Sequence, residues 1–397
     1  SAPNWCSSSR GQGARPHVEF GIFNGMYVPA TMVDEHGAAA EHVRLRHELD
    51  WVRAADRAGF KYLWATEHHF LDEYSHLSAN EAFLGWCAAA TGRIHLGSGI
   101  FNITPPVNHP FRTAEKVAML DHLSGGRFEL GIGRGSSTTE QAGFGIDDPD
   151  LTKEMFDEVL PELVRMWAPG EYPGHDGRFF TVPPRTVLPK PLTDPHPPLW
   201  VAAGSPSTFA KAARLGLGVL CFTTGTVDQL APLIETYKSE IRHAEPVGGW
   251  VNDNVMVTSS MLCLEDGDRA RRIMHEARGN YHKSLLFRYL DTFPKPDGTP
   301  TWPDLCEPLS REEIDLAVEM GEWAIGDPDE CARVVQRWED AGADQLTFGM
   351  LSQETPIEVV IEATELFGRE VIPRFDTEPT WRSDRQRLAR PTAPAPN

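Results

Sequence analysis

Residues 65–70 read Ala-Thr-Glu-His-His-Phe, at the point where an apolar run over Phe60–Thr66 ends. Three ionisable side chains in succession at the end of a strand are costly to bury unless they face a cavity and meet a ligand. Side chains alternate along a strand, so Glu67 and His69 share one face and His68 takes the other. A carboxylate that orients or charges a neighbouring imidazole is a common device for a base working near neutral pH. The plain alternative is a pair of partly exposed loop histidines.

The elements that must position these groups alternate regularly. Strand-like runs at Val18–Phe23, Phe60–Thr66, Ile94–Ile103, Arg127–Ile132, Leu199–Ala203, Gly218–Phe222, Val255–Leu264 and Gln345–Met350 are separated by helical periodicities. The helices are read at Arg44–Ala58, Glu81–Ala90, His109–Leu123, Lys153–Trp167, Ser207–Leu215, Val227–Ala244, Arg269–Tyr289, Asp329–Ala341 and Ile357–Arg369. Apolar residues recurring three and four apart mark such helices, as do Leu45, Leu49, Val52 and Ala55 ahead of Gly59. A small hairpin is expected around Arg178–Val182. Eight strand–helix units in order predict an α/β fold, a (β/α)8 TIM barrel with insertions. A doubly wound open sheet is the alternative. Residues 18–375 form this single domain, preceded by an extension over 1–17 and followed by a Pro-rich tail over 376–397 without periodicity.

Composition narrows the partners. Hydrophobic residues make up 41% of 397, enough for a large core, and the formal charge of −20 argues against nucleic acid or an anionic membrane. The six cysteines form no CxxC or Cys/His metal spacing, and Cys87, Cys221 and Cys263 lie in apolar segments. Reduced thiols, no membrane-length apolar run and no signal-type segment over Ser1–Pro16 predict a soluble, cytoplasmic protein without a metal.

Chemistry in such a barrel belongs at the carboxyl ends of the strands, where the remaining unusual residues also fall. Phe101-Asn102 ends a strand containing Gly97 and Gly99, a sign of close approach by a ligand or a second backbone. Gly131-Ile132-Gly133-Arg134-Gly135-Ser136-Ser137 follows the fourth strand, offering exposed N–H groups and a guanidinium suited to phosphate. Gly204-Ser205-Pro206-Ser207-Thr208 follows the fifth strand and opens a helix, a second anion-binding feature. Because these two strands are neighbours, one phosphate can touch both. Each feature alone is an ordinary turn or cap; their placement at one end is the informative part. Phe23 and Met26 after the first strand, with Phe70, Phe101 and Phe222, are candidates for an apolar pocket.

In this order the residues resemble the bacterial luciferase-like family of flavin-dependent oxidoreductases. The resemblance runs through Phe20-Gly21-Ile22-Phe23, Trp64-Ala65-Thr66-Glu67-His68-His69-Phe70, Ile94-His95-Leu96-Gly97-Ser98-Gly99, His109-Pro110, Ser124-Gly125-Gly126-Arg127-Phe128, Gly131-Ile132-Gly133-Arg134-Gly135 and Ile325-Gly326-Asp327-Pro328. It covers about residues 18–372. The Glu-His-His form is closer to the luciferase and monooxygenase branch than to the deazaflavin branch.

The resemblance implies FMN, delivered reduced by a separate flavin reductase, reacting with O2 to give a C4a-peroxyflavin that oxygenates a small hydrophobic substrate. By matching positions it implies His68 as the catalytic histidine, a base or a stabiliser of the peroxide, with its neighbour Glu67 tuning the site. Arg134, Ser136, Ser205 and Thr208 become the phosphate set, and Gly99-Ile100 the place of a non-proline cis peptide beneath the flavin ring. Asn102 is a candidate to hydrogen-bond either the flavin ring or substrate, Glu140 is implied near the flavin, and Tyr289–Arg311 lies where the family has a mobile lid, a passive insertion being the alternative. Gly133 replaces the reactive cysteine of luciferase and Ser137 a tyrosine, which argues against light emission. A homodimer is expected. A deazaflavin (F420)- or flavin-dependent hydride transfer on the same barrel, and a non-catalytic flavin-binding subunit, are the alternatives.

Overall fold

The computed structural model describes residues 17–222, 225–276, 279–291, 295, 297–349 and 355–390. The extension before residue 17, Thr223-Thr224, Met350, parts of the 289–311 insertion and the last seven residues lie outside them.

The strands are β1 (Glu19–Asn24), β2 (Tyr62–Ala65), β3 (His95–Ser98), β4 (Phe101–Asn102), β5 (Phe128–Gly133), β6 (His175–Asp176), β7 (Thr181–Val182), β8 (Leu199–Ala202), β9 (Gly218–Cys221), β10 (Val255–Cys263), β11 (Trp323–Gly326) and β12 (Gln345–Phe348). Strands β1, β2, β3, β5, β8, β9, β10 and β12 pair in parallel in that order, and β12 returns to β1, closing an eight-stranded barrel. Near-continuous burial of short runs such as Tyr62-Leu63-Trp64-Ala65 follows from this closure, since one face meets the barrel interior and the other the helices. β6 and β7 form the expected antiparallel hairpin outside the barrel.

Three local expectations change. The third strand is split: β3 ends at Ser98, Gly99-Ile100 is a cis peptide, and β4 resumes at Phe101 against β5. The helix read as Arg269–Tyr289 is two, Gly267–Glu276 and Gly279–Tyr289. β11 is additional, pairing with the outer half of β10 through Ser260↔Trp323 to Cys263↔Gly326. Its four residues merge in the sequence with the Asp327-Pro328 helix start that follows, where Asp327 and Glu330 form a capping box.

The segment after Phe375 is also corrected. Residues 376–390 fold back under the barrel and end in the helix Arg382–Leu388. Trp381 stacks on His95 (4.5 Å, 9°), Ser383 Oγ donates to buried Glu129 (2.6 Å), and the Arg382 N–H donates to buried Glu19 (2.9 Å). Lys61 Nζ bridges Glu19 (2.8 Å) and Asp376 (3.0 Å). This docking is driven by interior carboxylates that need donors, so a hydrophobic-periodicity reading misses it.

Above this plug the interior is filled by Tyr62, Trp64, Trp200, Leu220 and Met256, with Phe23, Ile100 and Phe222 packed against them. Trp64 and Trp200 meet edge to face at 5.2 Å. Gly97 has no side chain because the Trp64 ring occupies its place: a Cβ there would lie 2.2 Å from Cε3. The amino-end cleft of about 720 Å³ lies between the C-terminal helix and the bottom loops, lined by His95, Arg127 and Trp381, far from the strand ends that carry the candidate chemistry. Cys87, Cys221, Cys263 and Cys331 are buried and in no disulfide. Among the described residues no helix is long and apolar enough to cross a membrane, and no His/Cys/Asp/Glu group could hold a metal.

Candidate active site

Glu67, His68 and His69 leave β2 at its carboxyl end and divide as alternation predicts. Glu67 is buried and pairs with His69 Nε2 (3.1 Å). It also accepts Asn108 Nδ2 (2.8 Å) and the Asn102 backbone N–H (3.2 Å), so it ties the β2 end to the β4 end. Glu67 therefore meets the ring of His69, on its own face, and not that of His68. The partner of His68 is Glu140, whose Oε1 lies 3.1 Å from Nδ1 and also accepts the His69 N–H at 2.8 Å. A carboxylate can only accept, which assigns the proton to Nδ1 and leaves Nε2 as the free ring nitrogen. Glu140 sits in the first turn of the short helix Thr138–Gly143 and is itself buried. Its carboxylate engages both histidines. A cavity of about 420 Å³ opens against His68, His69, Ser75 and His76.

Beside this cluster, the Gly99-Ile100 cis peptide forms a small bulge at the mouth of the barrel. A Cβ on Gly99 would lie 3.2 Å from Trp64 Cβ, 3.3 Å from Phe222 Cζ and 3.4 Å from Phe23 Cε2, so only glycine keeps this cradle open. Phe23 and Phe222 face each other at 5.0 Å. Gly133 packs on Ile100, where a side chain would meet Cδ1 at 2.8 Å.

Two expected pocket residues are placed elsewhere, and a third is partly engaged. Phe101 points outward and is completely buried against Phe128 (6.0 Å), with Lys116 Nζ 4.2 Å from its ring centre. Met26 belongs to the main hydrophobic core rather than to the interior cluster of Phe23 and Phe222. The Asn102 carboxamide accepts both the N–H (3.1 Å) and the hydroxyl (2.7 Å) of Thr104, so its oxygen stabilises the β4 turn.

The candidate anion site lies across the ends of β5 and β8, which pair directly (Ile132↔Val201). Arg134 Nη1 donates to the neutral Thr152 hydroxyl (2.9 Å), and among the described residues no carboxylate lies within salt-bridge distance of it. Burial lowers the guanidinium pKa while Asp150 and Asp157 raise it, and the group stays charged. Gly135, with φ 78°, carries the turn into Ser136, and a Cβ there would crowd Asn102 Nδ2 at 3.0 Å. Ser205 caps the helix Pro206–Arg214 in a box with Thr208: the Thr208 hydroxyl accepts the Ser205 N–H (3.0 Å) and Ser205 Oγ accepts the Thr208 N–H (3.4 Å). A half-buried guanidinium and a helix N-terminus, following two paired strands, are groups suited to a phosphate dianion. These donors fit a phosphate-bearing ligand.

Residues 19–345 match the sequence model of the luciferase-like monooxygenases. The chain belongs to that family. It is 27% identical to 4-hydroxyprotoasukamycin monooxygenase of Streptomyces nodosus subsp. asukaensis, over 84% of this chain and 87% of that one. It is also 27% identical to an F420-dependent glucose-6-phosphate dehydrogenase of Kineococcus radiotolerans, over 81% and 95%. The oxygenating constituent of 3,6-diketocamphane monooxygenase of Pseudomonas putida, solved with FMN, superposes with a TM-score of 0.71 at 19% identity, covering 90% and 99%. That likeness concerns the fold.

Sequence reading missed Tyr74, Asn108 and His282. Tyr74 packs edge-on against His68 (5.5 Å) and stacks on His282 (5.4 Å, 22°). Burial is the main cause of the raised Tyr74 pKa, with Glu140 adding to it, so the phenol stays protonated. The only sequence signal was their position, Tyr74 five residues after His69 and His282 within the seventh crossover.

Proposed function

We propose that this chain is the oxygenase component of a two-component flavin monooxygenase, which takes reduced FMN from a separate reductase and uses O2 to oxygenate a small hydrophobic substrate. The observation that carries this reading is the convergence of the Nδ1-tethered His68, the Gly99-Ile100 cradle and the unneutralised Arg134 at one end of one barrel. Arg134, Ser136 and the Ser205–Thr208 helix start would hold the phosphate, while Gly99 and Ile100 would support the ring. Bound reduced FMN would supply the activation of dioxygen. Phe23 and Phe222 would wall the substrate side, excluding water. His68 would exchange a proton at Nε2, held in the required tautomer by Glu140. Two copies of the chain are proposed to pair as a homodimer.

The test supplies reduced FMN from a generic flavin reductase and screens hydrophobic aldehydes, ketones and aromatics under 18O2. Incorporation of one labelled oxygen atom into product supports the reading. Turnover with reduced F420 in the absence of oxygen, and none with FMN and O2, would instead favour hydride transfer, as the F420-dependent relative invites.

A further inference from the structure

We propose that the helix Gly279–Tyr289 orients His68, with Tyr74, His282 and Asp291 as positioning residues that complete the base only when this helix is docked; the proposal rests on the role given to His68 above. Two groups contact the His68 ring, the Glu140 carboxylate and the Tyr74 ring. One segment, 279–291, holds both.

On one side the helix presents Tyr281, Leu285 and Tyr289, four residues apart, to Tyr27 and Leu71 in a separate buried cluster. His282 lies beside this stripe, stacked on Tyr74 and edge-on to Tyr27 (5.7 Å, 89°), and Tyr289 touches Tyr74 at 6.3 Å. Burial pushes the His282 imidazole down to about 4, so it packs as a neutral ring and brings no buried charge. The aromatic train therefore runs from the loop after β1, through the helix, to the ring of His68.

At its other end the segment reaches the second partner. The Asp291 carboxylate accepts the Thr138 N–H (3.0 Å) and the Thr138 hydroxyl. Thr138 opens the six-residue helix whose first turn carries Glu140. So short a helix has little stability of its own, and a carboxylate on the N–H and hydroxyl of its first residue fixes where Glu140 sits. Undocking of 279–291 would release Tyr74 and the Glu140 helix together, and His68 would lose its tautomer-setting partner.

The test reads His68 directly in protein without flavin. Selectively 15N-histidine-labelled protein is examined by long-range 1H–15N correlation at about pH 8.5, where an unperturbed imidazole is neutral; His68→Gln assigns the resonance. Wild type should show the Nδ1–H tautomer. Asp291→Ala and His282→Ala should each shift His68 toward the Nε2–H form and lower kcat about 10-fold, the order expected of a misplaced catalytic group, with KM for reduced FMN unchanged. Lys283→Ala, on the exposed face of the same helix, should change neither. Asp291 is exposed, so its variant stays folded, and circular dichroism checks His282→Ala. An unaltered His68 tautomer and kcat in both folded variants would overturn the proposal. Absence of oxygenation by wild type would instead count against the function, leaving the tautomer result standing.

Discussion

Glu140 accepts a hydrogen bond from His68 Nδ1 at 3.1 Å although the two are 72 residues apart. The same carboxylate oxygen takes the backbone N–H of His69, so one side chain fixes both the ring and the chain that carries it. Glu67, adjacent in sequence, faces away and secures His69 and Asn108. The pairing of base and orienter is thus set by the barrel, which brings the β2 and β5 loops together.

Replacing His68 by alanine should lower kcat by roughly 10²–10⁴-fold, the usual contribution of a positioned acid or base, while leaving the Kd for reduced FMN unchanged. Glu140→Gln keeps the size and an acceptor oxygen but loses the charge, and should cost less than removal of the ring. Steady-state kinetics with flavin titration separates these effects. A His68→Ala protein with full turnover would remove the catalytic assignment.

Arg134→Met should weaken reduced FMN by about 10- to 100-fold, as expected from a charge-assisted hydrogen bond of about 1.5–3 kcal/mol. Reduced riboflavin, which lacks the phosphate, should bind wild type and variant alike. An equal loss for both ligands would assign Arg134 to the local fold through Thr152 instead.

These predictions draw on residues with unequal visibility in the sequence. The barrel was legible because each parallel strand is an apolar run buried on two faces, and the Glu-His-His, Arg134 and Ser205 positions follow from where such strands end. Glu140 was visible as a residue but not as the partner of His68, because a loop-to-loop hydrogen bond leaves no periodic trace. Phe101 was assigned to the wrong face because the Gly99-Ile100 bulge interrupts the strand and resets its alternation. Trp381 and Ser383 escaped notice because they meet a buried imidazole and a buried carboxylate, not an apolar stripe.

Ending the chain before Trp381 should destabilise the barrel by about 3–5 kcal/mol, since a large ring is lost and Glu19 and Glu129 each lose a donor. Urea denaturation measures the loss. In protein that stays folded, flavin affinity should be preserved, because the plug lies at the opposite end from the candidate site.

Glu48 gives a pH signature. It is fully buried beneath the end of β1, accepts Asn24 Nδ2 at 2.6 Å, and burial raises its pKa to about 7. The native state therefore holds a proton that the unfolded chain releases near the ordinary 4.5. Stability from this group is complete below about pH 4.5 and is lost as pH rises through about 7, by at most about 3 kcal/mol. Glu48→Gln should flatten this part of the stability profile, measured by urea midpoints between those pH values. An unchanged slope would show that Glu48 is ionised in the native protein.

The central claim is that His68, the Gly99 cradle and Arg134 handle reduced flavin in the presence of oxygen. Its most direct test is anaerobic mixing of the protein with reduced FMN, followed by oxygenated buffer and stopped-flow absorbance. A clear delay before the oxidised-flavin spectrum returns is expected, shortened in His68→Ala and reduced in amplitude in Arg134→Met in proportion to its lower flavin occupancy. Return at the rate of free reduced FMN, with the protein folded and flavin bound, would contradict it.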